Sequence, residues 1–167
     1  MLNLFCPDLY IKDIYELDLN LIKQKSIKGI LIDLDNTLLP WDSKCIEDKM
    51  ISWTKQCLNE GLSLCIISNN KYDRIKYCSE LLEIPAVFGS LKPFKAAFKK
   101  GMDILGTQPE QTAVVGDQIF TDIFGAKRMG LYAILVKPLS DREFYWTRVM
   151  RILERRLLKI LESKKLI

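Results

Sequence analysis

Histidine is absent from this chain of 167 residues. That absence removes Ser/His/Asp hydrolysis, histidine-nucleophile phosphotransfer and imidazole-rich metal sites, and leaves carboxylates as the acid/base groups for chemistry near neutral pH. Long apolar runs are missing too. The uncharged run from Gly61 to Asn70 is far short of the ~20 residues that span a bilayer. Met1 to Pro7 is apolar but has no basic flank and no small-residue cleavage site, so it does not read as a signal peptide and a cytoplasmic protein is expected. Repeats, low-complexity tracts and Gly/Ser/Pro-rich linkers are lacking, which implies one domain over 1–167. The cysteines Cys6, Cys45, Cys57, Cys65 and Cys78 are odd in number and never two apart, so they read as buried free thiols. None has an arginine six residues on, which removes a cysteine-dependent phosphatase loop.

Strands alternate with helices in what is present. Gly29 to Ile32, Leu62 to Ile67, Ala86 to Phe88, Thr112 to Val115 and Tyr132 to Val136 read as buried strands. Between them, helical spacing joins Ile46 to Cys57, Ile75 to Leu82, Phe94 to Leu105, and Thr121 to Met129. Such alternation predicts an α/β fold, a doubly wound parallel sheet with both faces covered. The core is expected at about 28–136, after an N-terminal segment 1–27 and before a helix at about 141–163.

Ligands of open α/β sheets bind beyond the carboxyl ends of the strands, and the polar residues gather there. Asp33 and Asp35 end the first strand, two apart and therefore on one side. Taken alone, this Asp-x-Asp-x-Thr run is equally a strand exit whose acids cap backbone groups. Ser68 and Asn69 end the second strand and Gly116-Asp117 the fourth. Lys92 precedes Pro93, which is expected at the first position of a helix, so that lysine and helix N-terminus together favour an anion. Carboxylates, a lysine and a hydroxyl around one crevice suit a phosphoryl group with magnesium, because hard oxygen ligands without imidazole or thiolate favour that ion. Asn69 is open between a phosphate contact and a turn former, and Asp122 between a water-mediated metal contact and a helix cap.

The ordered set Asp33-x-Asp35-x-Thr37, Ser68, Lys92-Pro93 and Gly116-Asp117 through Thr121-Asp122 resembles the four motifs of the haloacid dehalogenase (HAD) superfamily of aspartate-nucleophile phosphatases. With Pro7-Asp8-Leu9-Tyr10, Ile67-Ser68-Asn69-Asn70 and a basic C-terminal helix, it resembles the subclass IIIA phosphatases of the YqeG type, relatives of phosphatidylglycerophosphate phosphatases. The resemblance implies Asp33 as nucleophile, Asp35 as general acid and base, and Thr37 orienting the pair. Ser68, Asn69 and Lys92 would hold phosphate. Magnesium would be bound by Asp33, the Asp35 carbonyl and Asp117, with Asp122 behind them.

Neither interval between these motifs holds a cap domain, so an open crevice and a large or surface-fixed substrate are expected. From Glu143 onward, Trp146, Val149, Met150, Leu153, Leu157, Ile160 and Leu161 form an apolar helical stripe with the arginines mostly off it. Residues 137–167 carry nine basic and four acidic side chains, a net of +5 against +4 for the whole chain. Such a helix packs its stripe on the domain or lies on an anionic membrane; no nucleic-acid partner is expected. The resemblance implies a phosphorylated lipid, phosphatidylglycerophosphate, as substrate. A soluble sugar or nucleotide phosphate or a phosphoprotein is the alternative, and a non-catalytic binding module the reading from another class.

Overall fold

Alternating side chains along one short strand build two cores. In Gly29–Ile32, Ile30 and Ile32 enter one apolar cluster and Leu31 the other, as the two-residue period of a strand requires. A computed structural model describes residues 2–43, 45–140, 145–164 and 166, without the side chains of 145–149. Its strands are β1 Leu9–Ile11, β2 Gly29–Ile32, β3 Ser63–Ile67, β4 Ala86–Val87, β5 Thr112–Gly116 and β6 Tyr132–Val136. All pair in parallel, in the order β1-β6-β5-β2-β3-β4. The helices are α1 Leu19–Gln24, α2 Asp48–Asn59, α3 Tyr72–Leu82, α4 Lys95–Leu105, α5 Phe124–Lys127 and α6 Tyr145–Ser163.

One core joins α1, α2 and α3 to the sheet through Ile22, Met50, Trp53, Cys57, Ile75 and Cys78. The other joins α4 and α5 through Phe98, Met102 and Ala126, with Leu157 and Leu158 of α6 packed against it. Between Thr37 and Ser68 the described elements are α2 and β3, and between Ser68 and Lys92 they are α3 and β4. The crevice therefore carries no inserted cap in either interval.

Three details differ from expectation. Leu9–Ile11 is an edge strand on β6, too short to show a period in sequence; Asp8 fastens it by accepting from Ala133 N at 2.8 Å and Lys127 Nζ at 2.6 Å. The expected helix from Thr121 instead begins as a π-helical turn, Ile119–Ile123, that runs into α5. Pro93 is not the first residue of a helix: it sits in a turn closed by Phe94 N donating to Leu91 O at 2.8 Å, and α4 starts at Lys95. The cysteines also divide, since Cys57, Cys65 and Cys78 are buried while Cys45 is exposed and Cys6 half-buried.

Close packing of α5 on α4 requires a glycine. A Cβ at Gly125 would lie 2.3 Å from Phe98 Cζ, and that ring is buried. Gly125→Ala is expected to cost about 1–3 kcal/mol, seen as a lower urea midpoint with unchanged slope. Burial pushes the thiols of Cys57 and Cys65 up to about 12 and that of Cys78 to about 11. The reactive form is the thiolate, so a raised pKa keeps these three inert near neutral pH. A thiol reagent is expected to modify Cys45 first in the native protein, Cys6 more slowly, and the buried three only after denaturation.

Candidate active site

Strand order reverses between β2 and β5: the chain runs outward through β3 and β4 on one side and through β6 on the other. Such a switch point opens a crevice at the carboxyl ends of the two central strands. Asp33 follows β2, with its N–H donating to Val115 O at 2.8 Å, and Asp117 follows β5. The π-helical turn then folds Asp122 back over the strand end. Gly116 makes room, since a Cβ there would lie 2.4 Å from the Asp122 carboxyl carbon. Oxygen atoms of Asp33, Asp117 and Asp122 come within 4.8 Å of one another, and all three residues are buried.

Lys92 enters this cluster from the turn after β4. Its Nζ donates to Asp33 Oδ1 and, at 2.6 Å, to Asp122 Oδ1. Asn69 places it, with Oδ1 accepting from Lys92 N at 2.7 Å and Nδ2 donating to Lys92 O at 3.1 Å. The Asn69 amide is thus used to brace the lysine. Burial pushes Asp33 up to about 7, with Lys92 pulling it down and Asp122 adding to the rise. Burial alone would lower Lys92, but the Asp122 and Asp33 carboxylates outweigh it and hold the ammonium above its ordinary value.

Asp35 stands apart from the three-carboxylate cluster. Its oxygens accept from Arg74 Nε at 2.8 Å and Asn70 Nδ2 at 2.7 Å. Arg74 also donates to the Ser43 and Pro40 carbonyls, so one guanidinium ties α3, the loop after β2 and Asp35 together. Ser68 is buried, and its Oγ accepts from Asn70 N at 3.1 Å. Thr37 was expected to orient the aspartates, yet its buried hydroxyl bonds to neither and has no partner among the described residues. A cleft of about 430 Å³ opens over these groups, with Asp33, Asp35, Ser68, Lys92 and Trp41 in its walls.

Two functional residues come from α6 and were not singled out in sequence. Arg151 donates to both the carbonyl and Oδ2 of Asp117. Glu154 Oε2 accepts from Arg151 Nη1 at 2.9 Å, while its Oε1 accepts from Phe120 N in the π-helical turn at 3.2 Å. Both side chains are buried. An arginine and a glutamate three apart on a helix ordinarily signal a solvated face, and only the docking of α6 shows otherwise. Burial raises Asp117 well above the usual carboxylate range, with Arg151 opposing it. Beside this contact, a cavity of about 610 Å³ lies between α6 and the end of β6, with Asp117, Tyr10, Lys137, Arg155 and Leu158 in its walls.

The donor set fits a divalent cation. Asp117 Oδ1 is buried without a hydrogen-bond partner among the described residues, while Oδ2 is taken by Arg151. Among the described residues the buried acids Asp33, Asp117, Asp122 and Glu154 outnumber the buried bases Lys92 and Arg151 by two. Buried charge without compensation is costly, and one doubly charged ion supplies it.

Comparison with known proteins agrees with this geometry. Residues 91–138 match a model of HAD-hydrolase-like proteins, and residues 2–78 a model of mitochondrial PGP (phosphatidylglycerophosphate) phosphatases. A probable phosphatase of Bacillus subtilis, YqeG, is 36% identical over 160 residues, covering 96% of this chain and 93% of the relative. The mitochondrial phosphatidylglycerophosphatase GEP4 of Saccharomyces cerevisiae is 30% identical over 135 residues, covering 72% of each chain. Among solved structures, the cobalt-bound deoxy-D-mannose-octulosonate 8-phosphate phosphatase of Haemophilus influenzae superposes with a TM-score of 0.58 at 16% identity. It covers 82% of this chain and 90% of that one, a likeness of fold. By its near full-length match to YqeG and the order of its strand-end residues, the chain belongs to the HAD-like hydrolases as a phosphatase of the YqeG type.

Proposed function

We propose that this phosphatase is a magnesium-dependent phosphomonoester hydrolase working through an aspartyl-phosphate on Asp33, with phosphatidylglycerophosphate as its substrate. The observation that carries the reaction is the buried cluster Asp33, Asp117 and Asp122 around Lys92, with more buried acids than bases among the described residues. Asp33, Asp117 and the Asp35 carbonyl would hold magnesium, with Asp122 beside them, and the ion would supply the positive charge that lets an anionic nucleophile approach an anionic phosphate. Lys92 and Ser68 bind the phosphoryl oxygens. A carboxylate oxygen of Asp33 attacks phosphorus, the ester P–O bond breaks, and the leaving alkoxide takes a proton from Asp35. Asp35 then takes a proton from the water that attacks phosphorus and frees Asp33. Arg74 and Asn70 hold the Asp35 carboxyl in place for both transfers.

Three observations support the lipid substrate. The relatives with named substrates include a phosphatidylglycerophosphatase, the cleft lacks an inserted cap, and α6 carries an outward apolar stripe. The face of α6 that docks is Arg151, Glu154 and Leu161, while Met150, Ile152, Leu153 and Ile160 are exposed. Much of the stripe expected to pack therefore faces outward, and its Trp146 and Val149 lie outside the described side chains. Among the described residues no helix is long and apolar enough to cross a membrane, so this stripe offers peripheral contact with an anionic surface.

Phosphate release from phosphatidylglycerophosphate in mixed micelles is expected to stop on chelation and return with magnesium. Asp33→Asn is expected to lower it about a thousandfold or more. Equal turnover of soluble sugar or nucleotide phosphates would make this a general small-molecule phosphatase. No hydrolysis of any lipid or soluble ester by the parent would leave a binding module. Arg151→Ala, which removes the support of Asp117, is expected to raise the magnesium concentration for half-maximal rate about 10- to 100-fold. Arg151→Lys, with charge but no planar fork, is expected to recover part of that loss.

A further inference from the structure

Six large apolar side chains stand exposed around the mouth of the cleft. Trp41 follows β2, Tyr72 opens α3 after β3, Phe88, Leu91 and Phe94 follow β4, and Leu139 follows β6. Because the strands are all parallel, the loops leaving their carboxyl ends share the edge of the sheet that carries Asp33, Ser68 and Asp117. Contacts tie the ring together. The Tyr72 and Phe88 rings lie 4.7 Å apart, and Asn36 accepts from Trp41 N at 3.1 Å and Leu139 N at 3.0 Å. Leu91 and Phe94 are 64% and 65% exposed although Lys92 between them is buried. The turn that sends the lysine inward holds its two apolar neighbours out.

Single exposed apolar residues are ordinary, but a cluster at one rim marks a contact surface. The loops after β3, β4 and β6 carry Lys71, Lys95 and Lys137, exposed and without a side-chain ion pair among the described residues, against Asp73, while the loop after β2 carries the exposed acids Asp42 and Glu47. These residues share the sheet edge that carries the cleft, and Trp41 forms part of its wall. A protein partner seated there would close the entrance, whereas a bilayer would deliver a headgroup into it.

We propose that this rim is the docking face for an anionic phospholipid bilayer. Leu91, Phe94 and the Tyr72–Phe88 pair enter the interface while the lysines meet headgroup phosphates. A phosphomonoester then reaches Lys92 and Asp33 without its lipid leaving the membrane. This rests on the lipid-phosphatase reading and adds the surface through which the substrate is met.

The test combines sedimentation with vesicles of phosphatidylcholine, with or without phosphatidylglycerol, and hydrolysis of phosphatidylglycerophosphate in the same vesicles and of soluble p-nitrophenyl phosphate. The parent is expected to bind the anionic vesicles more tightly. Tyr72→Ser with Phe88→Ser, outside the turn that carries Lys92, is expected to weaken that binding and vesicle hydrolysis at least about tenfold, leaving soluble turnover unchanged and so showing an intact fold. Ile152→Glu with Ile160→Glu on α6 is the companion variant. Parent-like vesicle binding by the rim variant overturns the proposal, as does loss of binding only in the helix variant. A dimer of the parent that the rim variant disperses also overturns it, because the ring is then a contact between copies. Rim-dependent vesicle binding with no preference for the lipid ester keeps the docking face and removes the substrate reading.

Discussion

Three carboxylates buried at a strand end repel one another, and everything near the crevice is arranged around that repulsion. Asp33, Asp117 and Asp122 approach so closely because β2 and β5 are neighbours and Gly116 lets the π-helical turn fold back. Lys92 and Arg151 answer part of the charge from opposite sides, one from the turn after β4 and one from α6. Each cation is itself held by a second residue, Asn69 for the lysine and Glu154 for the arginine, and Glu154 also accepts from Phe120 N. The excess of buried acids fits the divalent ion proposed for the site. Repulsion is tolerated because binding relieves it.

The same logic explains why α6 looks inverted. A helix with an apolar stripe ordinarily buries the stripe, yet here Arg151 and Glu154 are inside and Ile152, Leu153 and Ile160 outside. Burying an arginine is favourable only where carboxylates and carbonyls meet it, and Asp117 and Glu154 accept from its Nη1 and Nη2. The charge cluster therefore shares in setting the docking face with Leu157, Leu158 and Leu161, and Ile152, Leu153 and Ile160 are left for another surface. Arg74 works similarly at Asp35, joining two loops through one fork.

Much of this was legible in sequence because parallel strands end where their ligands bind. Apolar runs closed by Asp33, Ser68 and Asp117 placed those residues at one edge before any coordinates, and local pattern sufficed. Arg74, Arg151 and Glu154 were not legible. Their roles depend on which way a helix face turns in the tertiary structure, and charged residues on a helix are usually solvated. Lys92 was found for a reason only half right: its charge reaches the crevice, but the helix N-terminus expected after Pro93 begins two residues later. The edge strand Leu9–Ile11 escaped because three residues carry no period.

Arg151 makes the metal site depend on whether α6 is docked. This helix touches the domain along one face through Arg151, Glu154, Leu157, Leu158 and Leu161, far fewer anchors than the central strands possess. Its local opening free energy therefore lies below that of the whole fold. With the proposed metal at Asp117, catalytic competence would follow the detachment equilibrium of one peripheral helix, and activity would be lost while the sheet remains intact.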